Sequence, residues 1–419
     1  MTAPDGQAQD QPPQYGAVAS SPLVNGDVKL SIGQDALTVT GPFDVVEVSF
    51  ADVNVLQMAE YALVLQTDDG MFQFNNLGSW AQPFFDHLLE AYNQAVLKAL
   101  FVTGSPVVTA RGDWAAKETQ VSGGDAAIRV YPDCVVSLPP DLSARRVPLA
   151  FVIGLEATDY SLTLRLDDGS SYQYGRLGYD MAPFTGAVQA QLRVMRDKTL
   201  AQVTGIDPLL SPAQASQLAK LLPAGAAAAM GQLGAVAPSF VSAVEAKLAD
   251  SVAASSYQMF KQSCDPASIS VGFRAGDGWD SAAKPVGADG AQAVSATDGA
   301  GGVSASGPPY LLWLVAPSPN GQYVAVEFAQ PDAATFVYRT GGDPIGFTRQ
   351  LSRALEAIDF HRDVIRYSDA ELAQPGNASY RMAAKRTAAL QFVRAGFVGR
   401  VIHSSPDAWT RNLQEIWSA

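Results

Sequence analysis

The stretch "TDDGMFQFNNLG", Thr67 to Gly78, returns about a hundred residues later as "LDDGSSYQYGRLG", Leu166 to Gly178. At an offset of 99 residues, Val48, Ala51, Val53, Leu56, Tyr61, Leu63, Leu65 and Asp68-Asp69-Gly70 meet identical residues between Val147 and Gly169. One inserted residue moves the offset to 100, and Gln73, Leu77, Gly78, Pro83 and Phe84 meet Gln173, Leu177, Gly178, Pro183 and Phe184. Fifteen identities in 37 positions, with strand and helix periods kept, mark a duplication.

Around the quoted stretch, "VKLSI", "ALTVT", "VVEVSF", "YALVLQT" and "MFQFN" alternate apolar and polar residues between turn residues, the pattern of a meandering antiparallel sheet. Asp-Asp-Gly joins two of the strands, because Asp and Gly accept the backbone of a tight hairpin at little steric cost. This reading gives the paired carboxylates Asp68-Asp69 and Asp167-Asp168 turn chemistry rather than acid-base or calcium chemistry. Leu77-Gly78 and Leu177-Gly178 mark a strand-to-helix corner where glycine takes an angle that a side chain opposes. Tyr61 and Tyr160 are expected as core or cross-strand aromatics. A helix opens near Pro83, with Phe85, Leu89, Tyr92, Val96 and Leu100 at helical spacing.

The chain divides by composition into six segments. Residues 1–23, rich in Pro, Gln, Gly and Asp, read as a disordered tail; residues 24–104 and 105–205 are the two copies. Residues 206–263 read as a helical hairpin, and 264–366 as a divergent third copy interrupted by a flexible Gly-, Ala- and Ser-rich insertion at 276–309. Residues 367–419 read as a helical tail, "ASYRMAAKRTAALQFVRAGF" and "SPDAWTRNLQEIW".

The string "VSFADVNVLQMAEYALVLQTDDGMFQFNNLG" followed by a single amphipathic helix resembles bacterial pleckstrin-homology-like and GRAM-type domains. The resemblance implies an α+β fold of tandem modules, each a bent antiparallel sheet of about seven strands closed by its C-terminal helix. The loops between the first two strands, "GQD" and "YPD", lack the Lys and Arg with which phosphoinositide-binding relatives grip a headgroup, so lipid recognition is not carried over.

The composition narrows the function further. The chain has 419 residues, 47% of them hydrophobic, with 28 basic against 41 acidic side chains, a formal net charge of −13 that repels nucleic acid. The two cysteines, Cys134 and Cys264, are too few for a disulfide framework or thiolate metal site, which fits a cytoplasmic protein. His361 and His403 have no Cys or His neighbours at ligand spacing, and His87 reads as a helix-surface residue, its counterpart in the second copy being Ala187. "SAAK" at Ser281–Lys284, "SPN" at Ser318–Asn320 and "RTG" at Arg339–Gly341 imitate, in order, the elements of serine penicillin-recognising enzymes, but the serine sits in a Gly-rich insertion. No catalytic, cofactor or metal residues are assigned.

Residues 361–419 hold eight Arg or Lys against five acids. Arg381, Lys385, Arg386 and Arg394 are therefore the candidate contacts to a polyanion or acidic partner, the other reading being that the tail folds back on the acidic modules. The expectation is a non-enzymatic scaffold or adaptor with an unidentified protein partner. The alternatives are peripheral binding to an anionic membrane surface through the basic tail, and an enzyme with a pocket between domains that uses Ser281, Lys284, Asn320 and Arg339.

Overall fold

The computed structural model describes residues 13–117, 121–275, 310–328, 334–361, 363–403 and 405–418. The fold is α+β, with three antiparallel sheets. The first copy contains β1 (Gln14–Ser20), β2 (Asn25–Ile32), β3 (Ala36–Thr40), β4 (Val45–Ser49), β5 (Val53–Ala59), β6 (Ala62–Thr67) and β7 (Gly70–Asn75), ordered β4-β3-β2-β1-β7-β6-β5 and followed by α1 (Ala81–Ala99). The second contains β8 (Val108–Lys117), β9 (Val121–Val130), β10 (Cys134–Leu138), β11 (Arg145–Pro148), β12 (Val152–Ala157), β13 (Ser161–Leu166) and β14 (Ser171–Gly175), with the same order, β11-β10-β9-β8-β14-β13-β12, before α2 (Met181–Ile206). Gly78 and Gly178 both sit at φ +58°, the left-handed conformation the repeated Leu-Gly requires.

Three expectations for this half need correction. The tail ends earlier than residue 23, because β1 lies mid-sheet, paired with both β2 and β7; its inward residues are Ala17 and Ala19, too small to give an apolar alternation. Residues 1–12 lie outside the described residues. On α1 the buried stripe is Phe84, Leu88, Tyr92 and Val96, while Phe85 and Leu89 are half-buried, because the helix opens after a 3-10 turn over Gly78–Trp80 that sets its phase. Tyr61 and Tyr160 are 87% and 83% exposed at the tips of the β5–β6 and β12–β13 turns, and neither is a core aromatic.

The two copies share more than a chain. Val135 of β10 points into the second copy's core, whereas Cys134, Val136 and Leu138 point the other way and complete the core around α1. The segment after β10 then crosses to the first sheet: Leu56 donates its amide to the Pro140 carbonyl at 2.8 Å, and Val55 bridges Asp141. Glu90 of α1 pairs with Arg129 of β9 at 2.8 Å.

The third sheet does not repeat the first two. Its strands β15 (Ala227–Ala229), β16 (Ser270–Ala275), β17 (Tyr310–Pro317), β18 (Tyr323–Phe328), β19 (Ala334–Arg339) and β20 (Phe397–Ile402) lie in chain order. β15 comes from the segment read as a helical hairpin and β20 from the segment read as a helical tail, so both boundaries are corrected. The expected insertion at 276–309 lies outside the described residues.

Helices α3 (Pro212–Leu221), α4 (Met230–Val236), α5 (Pro238–Ala249) and α6 (Ala254–Ser263) precede β16. Then come α7 (Pro344–Ala357), α8 (Asp363–Arg366), α9 (Asp369–Leu372), α10 (Ala378–Arg386), α11 (Ala388–Gly396) and α12 (Pro406–Ser418). One face of the sheet, with Val271, Phe273 and Leu314, packs on Phe240, Phe260 and Trp409. The other, with Trp313, Val326 and Tyr338, packs on Phe347 and Leu351 of α7 and Leu390 of α11. With helices on both faces, β18 is buried at every position, and its residues are apolar except Glu327.

Candidate functional site: two acidic corners and the helices they hold

In each copy the 3-10 turn after the fourth strand lies against the Asp-Asp-Gly hairpin. Asp68 donates its amide to the Asp52 carbonyl, and Asp167 donates to the Phe151 carbonyl, both at 3.1 Å. The result is one acidic corner, built twice by the same backbone bond.

Each corner holds a helix from the C-terminal half. At the first, α10 sets Arg381 2.8 Å from Asp52 and Lys385 2.5 Å from Asp68, while Asn54 donates to the other Asp68 oxygen at 3.0 Å. Burial pushes the Asp68 carboxyl up, but the Lys385 and Asn54 hydrogen bonds outweigh it and hold the group below its ordinary value. One residue on, Arg386 is only 2% exposed; it donates to the Tyr92 hydroxyl at 2.7 Å and so ties α10 to α1. Burial raises the Tyr92 hydroxyl, against the pull of Arg386.

At the second corner α7 performs the same task with different residues. Arg353 binds both Asp167 and Asp168, and its guanidinium lies 5.3 Å from the Phe151 ring centroid. One turn along, Glu356 takes Arg146 of β11 in a two-pronged contact at 2.8 Å, and Arg146 reaches Asp133 at 2.7 Å. Burial raises the Glu356 carboxyl, which Arg146 partly offsets. Arg274 of β16 pairs with Asp359 just past α7.

Asp68, Asp167 and Asp168 are therefore turn residues that also receive cations, a role their place in a hairpin does not announce. The four expected polyanion contacts are engaged inside the chain: Arg381, Lys385 and Arg386 as described, and Arg394 on Asp369 at 3.1 Å. The tail folds back on the acidic modules.

The histidines lie apart. His87 is exposed on α1, and His361 stacks near Phe101, ring centroids 4.9 Å apart. His403, itself exposed, caps a buried polar cluster that sequence distance hides. Glu327, almost wholly buried, accepts from Thr335 at 2.6 Å and lies 3.2 Å from the His403 Nε2; Trp409 donates to the Thr335 hydroxyl at 2.6 Å. The Glu327 hydrogen bond raises the His403 pKa. Among the described residues no group of three or more His, Cys, Asp or Glu is placed to hold a metal ion. Burial raises the Cys134 thiol and pushes Cys264 up to about 11, so both stay protonated at neutral pH.

Of the penicillin-enzyme imitation, Ser281 and Lys284 lie outside the described residues. The other two elements meet as turns at one end of the third sheet, where Thr340 donates to the Gly321 carbonyl at 2.6 Å and Ser318 to the Asn320 side chain at 2.7 Å. An open groove of about 760 Å³ runs over the first sheet past Gly16, Val18, Lys29, Thr40 and Pro42. No helix among the described residues is long and apolar enough to cross a membrane. No protein-family model matches this chain, and no curated protein matches it.

Proposed function

We propose that the chain is a non-enzymatic scaffold whose first two modules are pleckstrin-homology-like domains that work by holding other protein elements. The observation that carries this reading is the repeated corner: two copies of one sheet each receive a helix from elsewhere in the sequence, through the equivalent hairpin aspartates Asp68 and Asp167, whose amides make the same backbone bond. The common strand order and trailing helix support the module assignment. The protein partner uses the sheet edges and exposed loops left open after the C-terminal half has docked.

The test is affinity purification of the intact chain from its native cell, with quantification of what co-purifies. The scaffold reading expects a protein recovered in stoichiometric amount and retained in purified reconstitution. Sedimentation with anionic vesicles in a salt-sensitive manner, with no protein retained, would overturn it in favour of membrane attachment.

A further inference from the structure

The joint between the two copies has a donor and an acceptor, and the duplication supplies a second example of each. The donor is the loop between the third and fourth strands of the second copy: Leu138 to Ala144, "LPPDLSA", lays its Pro140 carbonyl and Asp141 on β5. The acceptor is the outer side of β5 at Val55 and Leu56.

In the first copy the donor-equivalent loop is Thr40 to Val45, "TGPFDV", one residue shorter, since Val39 pairs with Val46 as Ser137 pairs with Arg145. Its Pro42 stands at the place of Pro140, and Phe43 is 96% exposed. The acceptor-equivalent in the second copy is β12, the edge strand of its sheet. Leu155 faces Leu164 there in the register with which Leu56 faces Leu65, so its amide points off the edge as the Leu56 amide does. At the position of Asn54, which hydrogen-bonds within the occupied corner, β12 carries Ile153, 73% exposed.

We infer that a second copy of this chain docks its Thr40–Val45 loop on β12, repeating between molecules the joint that links the two modules within one. The proposal rests on the scaffold reading and supplies one of its surfaces. An edge strand with free amides pairs with extended chain, and large exposed apolar side chains on both halves of a joint gain by covering each other. The contact is head-to-tail, because donor and acceptor differ; each added molecule leaves one of each free, and chains grow.

The flanking helix-on-sheet contact is not copied. Glu90 and Arg129 become Ala190 and Ser31, and the apolar Cys134, Val136 and Leu138 become Ala36, Thr38 and Thr40. The joint between molecules thus rests on the edge alone and opens on dilution.

Reciprocal blocking variants test this with purified full-length chain. Phe43→Asp removes the donor and Ile153→Asp the acceptor; both positions are exposed, so the fold survives. In sedimentation equilibrium the wild-type average mass rises steadily with concentration, each variant alone stays a monomer, and an equimolar mixture stops at a dimer, since each variant keeps the half the other lacks. A wild type monomeric at every concentration, variants that associate like the wild type, or a mixture that stays monomeric would each overturn the inference. None of these outcomes bears on whether a foreign protein is captured from the cell, so failure here is distinguishable from failure of the scaffold reading.

Discussion

At the scale of single residues, the groups that matter most are buried charges with partners on a distant element. Glu356 is the sharpest case, because Arg146 is itself almost fully buried and keeps only the half-exposed Asp133 if Glu356 is lost. Removing one member of a buried pair costs roughly 3–5 kcal/mol, and the remaining Asp133 contact places Glu356→Leu toward the lower end of that range. A lowered thermal midpoint checks this, and adding Arg146→Met should recover much of the loss, because two apolar side chains strand no charge. His403 gives a dependence on pH. Its folded pKa lies above the unfolded value of about 6.5, so the stabilisation it contributes is complete below that value and is lost as pH rises through the folded pKa. The difference in melting temperature between the wild type and His403→Gln should therefore shrink as pH rises above about 6.5 and through the raised pKa. A difference that grows with pH would exclude the Glu327 contact as its source.

At the scale of elements, the duplication predicts equal energetics at equivalent positions. A Cβ at Gly78 or Gly178 would meet nothing within 4 Å, so alanine at either costs only the left-handed backbone, roughly 1–2 kcal/mol. Denaturant midpoints for the two variants should fall by the same amount. Gly112→Ala should cost more, because its methyl would lie 2.6 Å from the Gly175 carbonyl and from a Leu177 methyl. The repeat, its strands and the Leu-Gly corner were legible in the sequence because each sheet buries one face and keeps a period of two. β1 was not, since Gly16, Ala17 and Ala19 carry little apolar contrast; of the third sheet, β16 to β19 fall in the segment read as a divergent third copy, whereas β15, three alanines without apolar contrast, and β20 lie in segments read as helical. The acidic corners were legible only as turns. What makes them receptors is Arg353, about 185 residues from Asp168, and Lys385, 317 residues from Asp68, and no local pattern announces such partners.

At the scale of the whole molecule, the modules are copies in topology but not independent in packing. The side of α1 turned away from its own sheet is covered by Cys134, Val136 and Leu138 of the second copy and by Met382 of α10, all within one continuous core. The β5 edge is closed by Pro140 and Asp141. A fragment of residues 13–104 would put all of that apolar surface in water and reopen the edge, whereas a fragment of 13–205 keeps the joint and gives up only the C-terminal contacts. Since burying apolar area is the main favourable contribution to folding, the short fragment should lack a cooperative thermal transition by circular dichroism. The longer fragment should show one below that of the full chain. Its midpoint should fall further with Leu138→Asp, which puts a charge into the shared core, than with Phe43→Asp, which touches only the exposed loop. A short fragment that melts cooperatively on its own would mean that the first sheet and its helix are self-sufficient, and that the shared core is a consequence of tethering rather than a condition of folding.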